Sequence, residues 1–495
     1  MKILFTFSKR IVNGNYYFIW LILFFIIHSW ANSVYLVSGY TILKIFLTLL
    51  VLGIILFLIF LFGFRNKDKA ALVTGASLFF SLFYFGIQDL SVFLSRAGLY
   101  INPRFFLCGL LVMTFIVVLI SSEISSQLKR YFNIVLLLLC VFESFNLVTD
   151  SYRQTERPVN SFIKEYSMKV KEGMPSVYFV ILDEYTGSEM LQKYFNYDNH
   201  YFLQELGQMG FHIVKDARSN YSYTLLSVAS ILNGEYIMPK ARRSVYDNEM
   251  YYSVLRSIKN NRTFKSFAEL GYTNYNYSPF KINEQQPLFA NSYLPQEFSL
   301  VLHNTIFNEI IELFPFFVAR RMGNKKYLKQ LFSERVSENY KIIQEVLKQS
   351  LVNSPSPAFS YIHLMMPHSP FAVDSSGRIN VDFLTSKVVV YEEMKDAYLQ
   401  YLIYTNKVVT KFVKELKENT KGESVIVLIS DHGIRGLSQS NDANIQFNSL
   451  NVLYYPHKDS IGLYSGVSNV NLFRVLFSEI IGKKIQLLAD SIVVK

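Results

Sequence analysis

The chain has 495 residues, of which 51% are hydrophobic, and a formal net charge of +11 at pH 7. Residues 1–154 contain 12 Lys/Arg and 5 Asp/Glu, so most of the positive excess lies in the most apolar part of the chain. A basic balance there indicates membrane topology, and nucleic acid is excluded as a partner. Both cysteines, Cys108 and Cys140, lie in that part, which excludes disulfides, thiolate metal sites and a cysteine nucleophile after residue 150.

Five apolar stretches follow one another in the first 150 residues. Each is roughly long enough to cross a hydrocarbon core of ~30 Å as a helix that rises about 1.5 Å per residue. In lipid a helix satisfies its own backbone hydrogen bonds. The stretches are 16–38, 41–64, 71–88, 104–121 and 131–149. The sequence therefore predicts an α-helical membrane domain of five spans over residues 1–150.

The positive charges between these stretches predict their orientation. Eight Lys/Arg precede the first stretch or lie in the second and fourth connections, whereas two or three lie on the other side. The eight are Lys2, Lys9, Arg10, Arg65, Lys67, Lys69, Lys129 and Arg130. Because positive loops face the cytoplasm, the N-terminus is predicted to be cytoplasmic and everything after residue 150 to lie outside. The polar residues 151–174 are predicted to form a juxtamembrane connector.

From residue 175 the pattern becomes that of an α/β domain. Two uncharged, β-branched runs, 177–182 and 425–429, are typical of buried parallel strands. Helical patterns lie between them, for example over 334–351 and 392–416. Strands separated by helices over such a length predict one large, mostly parallel sheet sandwiched by helices, with its sites at the carboxyl edge. Residues 175–495 are therefore predicted to form one catalytic domain.

Acidic residues follow two of the predicted strands directly. The first run ends in Asp183 and Glu184, and the late run ends in Asp431 and His432. If the two strands are neighbours, these side chains converge at one sheet edge and form a site for a divalent cation. The alternative for each acidic residue by itself is a helix cap or a turn.

A hydroxyl-rich turn, residues 219–224, leads into a predicted helix that continues to Gly234. Thr224 lies where that turn ends. A hydroxyl at a helix start is well placed as a nucleophile, because backbone N–H groups stabilise negative charge there and a metal can lower its pKa. The alternative is that Thr224 is an ordinary N-cap residue.

Two histidines, His363 and His368, lie in the segment YIHLMMPHSPF. Pro367 and Pro370 predict a loop just past a strand, which would place His368 outside the sheet and near a site. Such a histidine binds a phosphoryl oxygen or protonates a leaving group. The alternative is a histidine whose hydrogen bonds are satisfied within the core.

Together these segments resemble the alkaline phosphatase and sulfatase superfamily, in particular its membrane-anchored, sulfatase-like branch with phosphoethanolamine transferases and lipoteichoic acid synthases. The resemblance covers roughly residues 175–485. It is carried by the strand that ends in Asp183, by TLLSVASILNG from Thr224, by HLMMPH and by SDHG, which contains Asp431 and His432.

The resemblance implies a metal-dependent enzyme with one divalent cation, which would be Zn, Mn, Mg or Ca. It implies metal ligation by Asp183, Glu184, Thr224, Asp431 and His432, a nucleophilic Thr224, and substrate binding by His363 and His368. The formylglycine motif of classical sulfatases, Cys/Ser-x-Pro-x-Arg, does not occur at Thr224. The threonine therefore resembles the phosphotransferases more than the sulfatases.

The function implied is transfer of phosphoethanolamine or phosphoglycerol from a phospholipid donor to an envelope glycan or lipid, through a phosphothreonine. The implied location is the bacterial inner membrane, with a periplasmic or extracellular catalytic domain. A phosphodiesterase or sulfatase-like hydrolase is an alternative, which acceptor-dependent product formation would distinguish. A catalytically silent partner in envelope assembly is a second alternative, and loss of activity in a folded Thr224→Ala variant would exclude it.

Overall fold

The computed structural model describes residues 12–96, 98, 103–120, 125–155, 159–164, 173–237, 248–287, 296–352, 354–386, 390–436, 443–458 and 461–493. Lys2, Lys9, Arg10 and much of the predicted connector, 151–174, lie outside these residues. The chain forms two compact units, one within residues 1–158 and 292–315 and the other within 159–291 and 316–495.

The helices are numbered in chain order. They are α1 (Tyr17–Asn32), α2 (Gly39–Phe64), α3 (Lys67–Leu82), α4 (Tyr84–Arg96), α5 (Pro103–Ile120), α6 (Ser126–Thr155), α7 (Ser188–Phe195), α8 (His200–Gln208), α9 (Thr224–Asn233), α10 (Asn248–Lys259), α11 (Arg262–Glu269), α12 (Gln296–Leu302), α13 (Ile306–Asn308), α14 (Phe314–Arg321), α15 (Lys325–Ser350), α16 (Val381–Thr385), α17 (Tyr391–Asn419) and α18 (Leu472–Ile481). The strands are β1 (Val177–Leu182), β2 (His212–Ile213), β3 (Thr273–Tyr277), β4 (Ala358–Leu364), β5 (Val425–Ser430) and β6 (Asn451–Tyr454).

All five predicted membrane stretches are helical, but five separate spans are not confirmed. Among the described residues two helices, α2 and the Ser126–Thr149 part of α6, are long and apolar enough to cross a membrane. A third candidate is α3 together with Tyr84–Ser91, which are joined at a 70° bend. The apolar helices Tyr17–Asn32 and Cys108–Ile120 are shorter. The count differs because these two helices are too short to pass as spans by themselves and because the chain bends at Phe83, with φ −109° and ψ 32°, inside the third stretch.

A segment far along the chain belongs to the first unit. Helix α12 packs against α2, and the Glu297 carboxylate accepts hydrogen bonds from the backbone N–H and hydroxyl of Ser38 and from the Thr41 hydroxyl. Ser38 is the N-cap of α2, so this carboxylate lies at the positive end of a helix, where negative charge is stabilised.

The second unit contains a sheet with the strand order β2-β6-β5-β1-β4-β3. Strands β3, β4, β1 and β5 are mutually parallel, whereas β6 and β2 run antiparallel to their neighbours. The predicted mostly parallel sheet is therefore corrected to a mixed one. Among the described residues between β5 and β6, 431–436 and 443–450, there is no crossover α-helix, which parallel pairing would require.

Helices cover both faces of this sheet. Val177, Phe179 and Ile181 of β1 face one hydrophobic core, and the alternate residues Tyr178 and Val180 face the other. All six residues of β1 are buried, which explains why this strand is a continuous apolar run without alternation. The two predicted inner strands and the helices around 334–351 and 392–416 are confirmed.

Candidate active site

The carboxyl ends of β1 and β5 lie side by side. The two strands pair in parallel with Leu182 opposite Ser430, so Asp183 and Asp431 leave the sheet at the same edge. Together with His363 at the end of β4, they offer three buried ligand atoms within 4.8 Å of one another. The juxtaposition expected from the sequence is therefore present.

Asp183 is fully buried, and three histidines interact with its carboxylate. Burial by itself would raise the pKa of this carboxyl, but His368, His363 and His432 outweigh it and hold that pKa well below its usual range. Asp183 is therefore an anion enclosed by imidazoles. A buried carboxylate of this kind is stable only when cations or hydrogen-bond donors surround it.

A divalent cation fits this group. Asp183 Oδ1 and Asp431 Oδ2 are buried oxygens without a hydrogen bond among the described residues. His432 Nε2 lies 3.3 Å from Asp431 Oδ2 and 4.0 Å from Asp183 Oδ1. Two unsatisfied carboxylate oxygens beside imidazole nitrogens are a costly arrangement unless a cation binds between them, and such ligands suit zinc or manganese.

Thr224 begins α9 beside these groups. The N-cap of α9 is Tyr223, so Thr224 is the first residue of the helix and not its cap. Its Oγ1 lies 3.1 Å from His432 Nε2. Thr224 is half-buried, so part of the residue remains accessible to solvent.

The tautomer of His432 follows from its second nitrogen. Nδ1 lies 2.9 Å from the Gly433 carbonyl, which can only accept, so Nδ1 donates there. In the neutral ring Nε2 then carries the lone pair and faces the Thr224 hydroxyl. Gly433 is required at this turn, because a Cβ there would lie 2.1 Å from the Ile445 carbonyl oxygen.

His363 lies deeper than a substrate-binding residue was expected to lie. It is fully buried on β4, with Nε2 3.3 Å from Asp183 Oδ2 and Nδ1 3.0 Å from the Tyr361 hydroxyl. Tyr361 therefore orients the ring that holds Asp183. The signal in the sequence was the alternation of tyrosine and histidine on one strand face, which placed both side chains on the same side.

His368 lies in the loop after β4, as the flanking prolines predicted. Its Nε2 is 4.0 Å from Asp183 Oδ1, and 28% of its side chain is exposed. Desolvation lowers its pKa, but Asp183 and Glu184 outweigh that effect and raise the pKa above its ordinary value. The raised pKa favours the protonated ring, which lies at the partly exposed edge of the site.

Glu184 forms hydrogen bonds to two loops of the site, the one after β4 and the one after β5. One carboxylate oxygen accepts from the Ser369 backbone N–H and the other from the Arg435 backbone N–H. Its own N–H donates to Asp431 Oδ1, and its φ of +65° is rare for a residue with a side chain. Glu184 does not belong to the three-residue group that offers ligand atoms.

Two residues beside Thr224 had no signal in the sequence pattern. Arg435 places its guanidinium 5.3 Å from the centre of the Tyr223 ring and 3.8 Å from Glu184. Arg435 is partly exposed, and its contact with Tyr223 places a cation beside the residue that precedes Thr224. The turn after SDHG brings Arg435 next to Glu184, which lies just after β1, and this turn creates both contacts of the guanidinium.

The fold and site define an α/β enzyme with a candidate metal centre at the carboxyl edge of its sheet. The sulfatase family model matches residues 176–456. The chain therefore belongs to the sulfatase family and is a sulfatase-like hydrolase or transferase. No curated protein sequence matches it.

Several solved structures are similar at low sequence identity. The integral membrane protein lipooligosaccharide phosphoethanolamine transferase A from Neisseria meningitidis is 11% identical, with TM-score 0.40, and the match covers 96% of this chain and 95% of that one. The C-terminal periplasmic domain of EcEptC from Escherichia coli is 14% identical, with TM-score 0.37, over 63% and 82%. A phosphonate monoester hydrolase from Silicibacter pomeroyi is 13% identical, with TM-score 0.39, over 65% and 76%. At these values the likenesses do not identify a reaction.

Proposed function

We propose that the protein is a membrane-bound, metal-dependent transferase. It moves phosphoethanolamine or phosphoglycerol from a phospholipid donor to a glycan or lipid of the cell envelope, through a phosphothreonine on Thr224. The observation that carries this proposal is the position of the Thr224 hydroxyl, 3.1 Å from His432 Nε2 and next to the buried carboxylates. A threonine forms a phosphoester directly, which favours phosphoryl over sulfate transfer.

Asp183, Asp431 and His432 would hold the divalent cation, with His363 as a further ligand or as the group that orients Asp183. When bound, the cation lowers the pKa of the nearby hydroxyl and offsets charge on the phosphoryl oxygens. The unsatisfied oxygens of Asp183 and Asp431 support this assignment.

The protein's own side chains carry out the remaining steps of the proposed reaction. Thr224 Oγ attacks phosphorus, and the free N–H groups in the first turn of α9 stabilise the charge that develops there. His368 donates to a phosphoryl oxygen or to the departing alcohol, which its exposed position permits. An acceptor hydroxyl then displaces Thr224.

A lipid donor explains a membrane anchor on such an enzyme. We propose the domain order 1–150, 151–174 and 175–495, with five spans, a cytoplasmic N-terminus and an external catalytic domain at the bacterial inner membrane. The helical conformation of all five apolar stretches supports the five spans. The 16 residues of α1 rise ~24 Å, a little less than the hydrocarbon core, and the apolar turn that follows lengthens it.

The test is a covalent adduct on Thr224. The full chain in detergent is incubated with phospholipid micelles and a divalent cation, and its mass is measured. We expect a phosphoryl head-group adduct that is absent from Thr224→Ala and present in Ser222→Ala, two residues earlier. Turnover of the Thr224→Ala variant should fall by about 10³-fold or more, as for other nucleophile deletions. Turnover by the wild-type protein without any dependence on Thr224 would refute the proposal.

A further inference from the structure

A cavity of about 200 Å³ adjoins the site on the side of His368. Its wall combines α15, the loop after β4, and α17. The polar residues that line it are Arg335, Glu338, Asn339, His368 and Ser369, and the aromatic ones are Phe332 and Tyr401. None of these residues except His368 was singled out from the sequence.

His368 connects this cavity to the reacting groups. It lines the cavity, and its Nε2 lies 4.0 Å from Asp183 Oδ1. The cavity and the candidate metal centre therefore share the His368 side chain. The volume is smaller than the ~300–1,000 Å³ that drug-sized ligands occupy, so neither a diacylglycerol nor a glycan chain fits. The cavity suits the small head group that stays on phosphorus after the lipid leaves.

The cavity offers both hydrogen-bond donors and an acceptor. Asn339 is 3% exposed, and its Oδ1 accepts from the Met365 N–H, so its amide N–H groups are the donors left for a ligand. The Glu338 carboxylate is half-buried and has no hydrogen-bond partner in the part of the chain that the structure describes. A ligand hydroxyl in the cavity would donate to this carboxylate.

The charges around Glu338 disfavour an ammonium ligand. Burial and the neighbouring Glu334 raise the pKa of Glu338, while Lys341 and Arg335 oppose that shift. Of the charged or titratable side chains that line the cavity, Arg335 and His368 are basic and Glu338 is acidic. Arg335 lies at the rim, 5.4 Å from the centre of the Phe332 ring. An ammonium group would have to bind beside the Arg335 guanidinium, whereas a neutral diol meets the carboxylate, the amide and the guanidinium without repulsion.

We propose that this cavity holds a neutral, hydroxyl-bearing head group of the glycerol type and selects it over ethanolamine. The proposal rests on the proposed function and names the class of donor. In the reaction the Thr224 Oγ–P bond forms as the bond from phosphorus to the diacylglycerol oxygen breaks. Thr224 releases one proton and the departing alcohol takes up one, so a glycerophosphoryl diester remains on Thr224.

In the experiment, the full chain is incubated with mixed micelles that contain equal amounts of phosphatidylglycerol and phosphatidylethanolamine. The adduct on the Thr224 peptide is identified by mass spectrometry. We expect the glycerophosphoryl adduct to exceed the phosphoethanolamine adduct about tenfold, which is the effect of one hydrogen-bonding group. Equal adducts, or an excess of phosphoethanolamine, would overturn this inference and leave the proposed function intact. The absence of any adduct together with absence of turnover would overturn both.

A pair of variants on α15 tests whether Glu338 selects the head group. Glu338→Leu should lower the ratio of glycerophosphoryl to phosphoethanolamine adduct about tenfold. Glu345→Leu, about two turns later on α15 and exposed, should leave the ratio unchanged. Thermal unfolding of both variants checks that the helix is intact. An unchanged ratio in folded Glu338→Leu would contradict the assignment.

Discussion

At the scale of the residue, Glu184 is a charged side chain that positions neighbouring site residues through hydrogen bonds. Its two oxygens accept backbone N–H groups from Ser369 and Arg435, next to His368 and after His432. Its backbone N–H holds Asp431, and its carbonyl accepts from Tyr398. These contacts favour a positioning role, whereas the sequence resemblance implies a metal ligand.

Glu184→Gln separates the two roles. Glutamine has one acceptor oxygen, so one of the two backbone N–H groups would lose its partner at a cost of about 1–3 kcal/mol. We expect a lower free energy of unfolding, but a much smaller loss of metal affinity than in Asp431→Asn. Competition with a chromophoric chelator measures the affinity. Equal losses of affinity in the two variants would assign Glu184 to the metal.

At the scale of the element, α9 is attached to the end of β5 through hydroxyl groups. Ser227 Oγ donates to the Asp431 carbonyl at 2.6 Å, and Ser219 Oγ donates to the same carbonyl. Asn469 donates to the Ser430 carbonyl, one residue earlier. These hydrogen bonds fix the helix that carries Thr224 in position relative to the strand end that carries Asp431.

Ser227→Ala should affect catalysis more than stability. Loss of one hydrogen bond costs about 1 kcal/mol, and looser placement of Thr224 should lower kcat several-fold. The matched control is Ser230→Ala, whose hydroxyl donates to the Glu235 carbonyl at the other end of α9. Unfolding and turnover are measured for both. Equal kcat values in the two variants would mean that the Asp431 contact serves stability alone.

At the scale of the whole molecule, the chain returns to its first unit after it has begun the second. Residues 292–315 lie between β3 and α15 in sequence, yet they pack with residues up to 158. Glu297 makes three hydrogen bonds in that contact, to Ser38 and Thr41, and the Phe85 N–H donates to the Asn304 carbonyl. An insertion of this kind makes the folding of the first unit depend on residues far along the chain.

Glu297→Ala should therefore destabilise the first unit. Three hydrogen bonds to a charged group are lost, and the expected cost is about 1–3 kcal/mol after solvent replaces them in part. The thermal midpoint of the full chain in detergent should fall. Glu309→Ala, beyond the end of α12 in the same segment, is the control. An unchanged midpoint in Glu297→Ala would show that the other contacts hold the segment.

The sequence determined the parts of this protein that depend on local pattern. Uncharged β-branched runs predicted β1 and β5, because a strand covered on both faces has no polar positions, and the apolar stretches predicted the helices of the first unit, because a helix in lipid must satisfy its own backbone. Asp183, Thr224, Asp431 and His432 could be named because each follows a strand or begins a helix. The SDHG and TLLSVASILNG segments extended that reasoning to a family.

Only the tertiary structure decided what depends on contacts between distant segments. It made β6 and β2 antiparallel, bent the third apolar stretch at Phe83, and placed His363 against Asp183. It also brought Glu338 and Asn339 of α15 to the loop that carries His368. The physical reason is that periodicity records which side of an element is buried but not which neighbour buries it. Parallel strands can be ordered in several ways with the same apolar pattern, and the order settles which side chains meet.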